Sequence, residues 1–273
     1  LASFLSYGFG QALTDCFQTD TDSISSPYRP LTRGVISKSQ VLSISIIGFI
    51  FCISILTIYN PVNLLLGSIS GFGLATYTYF KRKYWAGPFY NAWIVSVLFL
   101  MAFLCGSDIN LLTQNPKVIY TLIAVFFGYA NFVLVGYFKD VEADRITCYN
   151  TLPVVFGRRV SSVISNVFGL LTIVFTVLLF TYSLPITVVL SQNIYAVIIL
   201  LMGIIVMFQC QAYVHLIKND NESSKAISLS VHAYILLLTS IIILNKNEWI
   251  TPMIIFYALF NLTMIFRPAK NQI

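Results

Sequence analysis

From Ser39 to Phe80, and again from Val160 to Ile217, the chain carries no Asp, Glu, Lys or Arg. A helix that crosses a bilayer needs about 20 mostly apolar residues, so each of these runs is long enough for two crossings. Shorter uncharged runs at 84 to 107, 118 to 138, 226 to 245 and 250 to 266 have the length of one crossing each. Asn60-Pro61 and Leu184-Pro185 are the natural breaks in the long runs, because a proline cannot continue a helix from its N-terminal side without losing a hydrogen bond. Charged residues make up 10% of the chain, against about a quarter in soluble domains. The expectation is an all-α, multi-pass integral membrane protein, a single transmembrane domain over residues 1–273. Nine helices are predicted, at about 1 to 17, 38 to 58, 61 to 80, 88 to 105, 117 to 138, 159 to 182, 193 to 216, 226 to 245 and 249 to 266. The first, LASFLSYGFGQAL, is half a span and starts without methionine, so the chain is expected to be a fragment lacking a preceding span. Five cysteines without CxxC spacing read as small hydrophobes.

Alternating helix direction sorts the loops. Segments 18 to 38, 81 to 87, 139 to 159, 217 to 225 and 267 to 273 fall on one face, and they hold all but Lys117 and Lys246 of the 16 basic residues. Short loops rich in Lys and Arg stay cytoplasmic, so this face is expected to be cytoplasmic. The excess of positive charge follows membrane orientation, and no nucleic-acid partner is expected.

Most of the acids lie on the same face. Asp220 and Glu222 read as ordinary solvated loop residues. The others are less easily dismissed. In TDCFQTDTDSISSPYRPLTRG, residues 14 to 34, Asp15, Gln18 and Asp22 are spaced i, i+3, i+7 and share one stripe if the helix persists. Asp140 and Asp144 are spaced i, i+4 at the end of the helix that finishes GYANFVLVGYFKD. Carboxylates at a membrane boundary are costly unless they meet cations or water, and they mark functional sites. Two clusters of hard oxygen ligands suit Mg²⁺, which binds through one or two carboxylates and keeps the rest of its shell for water and phosphate. Neighbouring bases, Arg29, Arg33, Lys81, Arg82, Lys139 and Arg145, can clamp the other phosphate oxygens. On spacing alone a metal-bridged diphosphate site competes with an ion or proton pathway, although a transporter more often places its acids at mid-membrane.

The same residues resemble a known family. TDCFQTDTDSISSPYRPLTRGVIS is similar to the first signature of the UbiA-type intramembrane prenyltransferases, NDxxDxxxD followed by RPLxxGxIS. YFKDVEADRITCYNTLPVVFG is similar to their second, DxxxD followed by TLPxxxG, and YTYFKRKYWAGPFYNAW resembles the region between. The resemblance runs from about Gly10 to Gly157. It implies a helical bundle, normally of nine spans, around a central cavity with the two motifs facing each other under a cytoplasmic cap. The implied reaction is Mg²⁺-dependent transfer of a prenyl group from an isoprenyl diphosphate to a lipophilic, often aromatic, acceptor in membrane lipid. Asp15, Asp22, Asp140 and Asp144 match the metal-ligating positions. Arg29, Lys81 and Arg82 match basic positions near the diphosphate, with Lys139 and Arg145 added from their location, and Tyr77, Asn91 and Tyr137 are candidates for the substrate cavity.

The chain departs from the family pattern at Thr14 and Gln18, which replace the leading Asn and the middle Asp. Asp20 lies off the stripe. An altered first motif admits a terpene cyclase of the same architecture as an alternative, and a transporter or lipid-binding protein as a more distant one. A span restored before residue 1 would bring the helices to ten. His215 and His232 are a weak metal pair, Gly67 and Gly71 suggest close helix packing, and Glu142 is expected to be solvated or paired with arginine.

Overall fold

The computed structural model describes residues 1–110, 114–183 and 193–266. Eleven α-helices follow one another in this part: α1 (Ala2–Asp15), α2 (Thr19–Ser25), α3 (Lys38–Tyr59), α4 (Val62–Lys83), α5 (Gly87–Leu104), α6 (Pro116–Tyr137), α7 (Val141–Ile146), α8 (Leu152–Ser183), α9 (Ile194–Leu216), α10 (Ser224–Asn245) and α11 (Ile250–Phe266). The nine predicted long helices are all present. α2 and α7 are additional, and both carry acidic motif residues. The expected break at Leu184-Pro185, and Arg267 and Lys270, lie outside the described residues.

Among the described residues, seven helices are long and apolar enough to cross a membrane. α1, with 14 residues, is too short to be one of them, and α4 is diluted by Asn63, serines, glycines and the terminal Lys81-Arg82-Lys83.

The chain divides into two compact units, Leu1–Asn115 with Asp140–Gly157, and Pro116–Lys139 with Arg158–Ile273. In the first, α1 packs mainly on α3 and α4 on α5. Its core is built on Leu13, Leu74 and Ile94, with Phe49 and Trp93 packed against them. Ser37 and Gln40 form a capping box at the start of α3, satisfying amides that the first helical turn leaves open. Asn60 and Pro61 end α3 and start α4 as the sequence suggests. Buried Asn63 pins that corner, its Nδ2 donating to Leu56 O at 2.9 Å and Met101 O at 3.2 Å. Ile53 lies against Gly67 and Phe49 against Gly71, so these glycines serve close helix packing as expected.

In the second unit, α9 and α10 pack tightly along Met207, Ala233 and Leu237. A neutral network ties α6, α8 and α9 together. Asn131 Oδ1 is 2.7 Å from Ser165 Oγ and 3.3 Å from Gln211 Nε2, and Ser165 Oγ is 2.8 Å from Gln211 Oε1. α11 buries none of its residues. α8 starts earlier than predicted, at Leu152, and carries a kink at Gly157, whose φ of +79 and ψ of 164 are not helical. That left-handed conformation suits glycine, and it joins a short first segment to the long span.

Candidate active site at the tips of the first unit

The first acidic motif is not one continuous helix. α1 closes at Asp15, the amides of Phe17 and Gln18 fold back onto Thr14 O and Asp15 O, and α2 restarts at Thr19. The stripe is therefore divided between two helices, yet its two ends still converge. Arg29 Nη1 lies 2.8 Å from Asp22 Oδ2 and 3.5 Å from Asp15 Oδ1. Burial opposes the Arg29 charge, but Asp22, Asp15 and Asp140 outweigh it and raise its pKa.

The second motif reaches the same place from another element. Asp140 caps α7, and its carbonyl accepts the Asp144 amide at 2.7 Å. Asp144 is fully buried and pairs through Oδ1 with Lys81 Nζ at 3.3 Å, while Thr151 donates to its Oδ2 at 3.1 Å. Burial is the main cause that pushes the Asp144 carboxyl up to about 6, with Asp140 adding to it and Lys81 and Thr151 pulling the other way. α2 and α7 touch directly, since Thr21 Oγ1 and Thr147 Oγ1 are 3.0 Å apart. Lys81 also reaches Gln18 Oε1 at 3.4 Å, which joins the departure in the first motif to the acid of the second. Arg82 pairs with Asp20, so Asp20 lies off the Asp15–Asp22 pair, as its position in the helix suggested.

Other predicted residues fall in different surroundings. Tyr77 is buried one turn before Lys81. Asn91 and Ser70 line a narrow cleft with Ser6, Gly10, Gln11 and Leu74. Arg145 forms an exposed pair with Glu142 at 2.8 Å, the arginine partner expected for that acid. Tyr137 and Lys139 belong to the second unit. The two histidines take neutral partners there, His215 with Asn166 at 2.8 Å and His232 with Tyr257 at 2.9 Å. Tyr149, Thr151, Asn150 and the pairing role of Gln18 were missed. Only Thr151 had a cue, in its TLPVVFG context; a tyrosine in a polar loop carries no periodic signal.

The donor set can be tested for Mg²⁺. Among the described residues, no three Asp, Glu, His or Cys side chains are grouped closely enough to hold an ion by themselves. Asp140 Oδ1, however, is buried without a hydrogen-bond partner, and Asp15 is about half exposed. A buried Asp140 oxygen without such a partner, together with the half-exposed Asp15, fits an ion that takes one or two protein ligands and completes its shell with phosphate and water.

The site is thus built from two acidic motifs at helix tips beside a set of bases, within an all-helical membrane fold. Comparison with known proteins identifies the family. The family description "UbiA prenyltransferase family" matches residues 1–238, and the chain belongs to that family. It is 24% identical over 235 residues to a digeranylgeranylglyceryl phosphate synthase of Methanosphaera stadtmanae, spanning 84% of this chain and 79% of that protein. The synthase of the same name from Pyrococcus abyssi is 25% identical over 237 residues, spanning 82% and 76%. The fold is similar to that of a UbiA homolog from Aeropyrum pernix K1, with a TM-score of 0.70 and 17% identity over 89% of this chain and 85% of that one.

Proposed function

We propose that this chain transfers a prenyl group from an isoprenyl diphosphate to a lipophilic acceptor, using Mg²⁺, at the cytoplasmic surface of a membrane. The observation that carries the reading is the convergence of Asp15, Asp22 and Asp144 with Arg29 and Lys81 at helix tips of one unit. Each acid there is held by a base, so a bound diphosphate and its counter-ion can exchange partners with these pairs without leaving charge uncompensated. Mg²⁺, when bound, supplies charge neutralisation to the departing diphosphate. Asp140 and Asp15 would hold the ion, and Asp22 and Asp144, paired with Arg29 and Lys81, would add to the donor set. Arg29, Lys81 and Arg82 donate to phosphate oxygens, stabilising charge that grows as the carbon–oxygen bond breaks. The names of the relatives favour a prenylated glyceryl phosphate as acceptor ahead of an aromatic one. The basic loops favour a cytoplasmic site.

The test is diphosphate release by the detergent-purified protein from prenyl diphosphates of graded length, with and without Mg²⁺, and with prenylglyceryl phosphate or an aromatic acceptor. Acceptor-dependent, Mg²⁺-dependent release with formation of a prenylated product is expected. Release without any acceptor would point to cyclisation and overturn the transferase reading.

A further inference from the structure

Tyr149 lies among the charges of the first unit, with its side chain completely buried. Lys81 Nζ stands 4.9 Å from its ring centroid and Arg82 Cζ stands 4.6 Å from it. Its hydroxyl donates to Asp20 Oδ1 at 3.3 Å, and the other Asp20 oxygen takes Arg82. Burial raises the phenol's pKa, so it remains a donor at neutral pH.

The backbone explains how the ring arrives there. Cys148 adopts φ +59, reversing the chain after α7, and the Tyr149 amide returns to Asp144 O at 2.8 Å. Asn150 then caps α4. Its amide donates to Arg82 O at 3.2 Å and its Nδ2 to Lys83 O at 3.3 Å, satisfying carbonyls that a helix end leaves open. The loop after the second motif is thus fastened to the tip of α4.

Lys81 and Arg82 are consecutive on a helix, so their side chains leave the axis about 100° apart and have no intrinsic reason to serve one ligand. A buried aromatic ring attracts cations over its face, and this ring has both. We infer that Tyr149 is a positioning residue, whose ring and hydroxyl, the latter through Asp20, hold Lys81 and Arg82 together to meet the substrate's diphosphate. The inference rests on the diphosphate reading above for its ligand, and on geometry alone for the clamp.

The experiment has two arms. In the first, purified protein without substrate is acylated and the labelling rate of each lysine is read by peptide mass spectrometry, with Lys225 as an internal reference. Lys81 labelling is expected to rise about tenfold in Tyr149→Leu and less than about threefold in Tyr149→Phe, which keeps the ring. An unchanged Lys81 rate in Tyr149→Leu would overturn the clamp. In the second, KM for the prenyl diphosphate is expected to rise about tenfold in Tyr149→Leu, with kcat and the acceptor KM within about twofold, and Phe restoring most of the loss. Parallel loss in both KM values, or no rescue by Phe, would mean that Tyr149 only supports the fold and would overturn the assignment. If Tyr149→Leu does not fold, Asp20→Asn decides: it should raise the diphosphate KM about threefold, and no change refutes the role of the hydroxyl. A wild-type protein that releases no diphosphate from any prenyl diphosphate would remove the functional reading, while the labelling arm still decides the clamp.

Discussion

The two units solve the problem of polar groups in an apolar protein differently. The first gathers charge, and its Lys81–Asp144 pair is almost wholly buried, with side chains 3% and 0% exposed. The second joins its long helices through neutral groups, Asn131, Ser165 and Gln211, and its described ion pairs lie at helix ends and in connections, at Arg158–Asp220 and Lys246–Glu248. A buried ion pair is a poor source of stability, because desolvation offsets most of the attraction. Neutral hydrogen bonds between membrane helices contribute about 0.6 kcal/mol on average with no such penalty. Where helices need only be joined, neutral groups suffice; buried charge is retained in the unit where the family's acidic motifs meet.

The contrast can be tested by substitution. Asp140→Ala removes a buried oxygen that has no hydrogen-bond partner among the described residues, so it should lower turnover by about a thousandfold or more, as expected for loss of a metal ligand, while the melting temperature stays near wild type. Retained activity would remove Asp140 from the site. Asp144→Ala should lose both turnover and stability, about 3–5 kcal/mol, because Lys81 is left as an uncompensated buried charge; chemical unfolding beside the Asp140 variant separates the two acids. The burial of Asp144 is the reason the two acids should differ.

A pH series sharpens the same point. The Asp144 carboxyl, at about 6 in the folded protein against 3.8 for a free carboxyl, binds a proton that the unfolded chain has already released. The slope of stability with pH is therefore negative in this window. Thermal unfolding of substrate-free protein should show this contribution to stability falling between pH 3.8 and 6, and Asp144→Asn should flatten it. In the second unit, Ser165→Ala should cost about 0.5–1.5 kcal/mol and leave the diphosphate KM unchanged; a shift in KM would mean that the neutral network also serves the substrate. Smallest of all, Glu142→Gln opens an exposed pair with Arg145 and should change stability by less than about 0.5 kcal/mol, with turnover intact.

The helices were largely legible because membrane crossing imposes a length and an apolar composition on each one. The break at Asn60-Pro61 was legible too. The breaks that form α2 and α7 were not. Both sit where turns reroute the backbone within three or four residues, a scale at which hydrophobic periodicity has no resolving power. Gln18 looked like a lost carboxylate and is in the structure a neutral partner for Lys81. Arg145, a candidate phosphate ligand from its location, pairs with Glu142 at the surface, a contact that spacing alone left open.

Length, apolar runs and the distribution of Lys and Arg were enough to determine a multi-pass helical protein with its acidic motifs at helix ends, because transfer into lipid depends on composition summed along a segment. Which acids Lys81 and Arg82 meet, and the placing of both against the Tyr149 ring, were decided only by tertiary structure. Those partners lie more than 60 residues apart in the chain, and electrostatic and ring contacts depend on distances in space that no local pattern encodes.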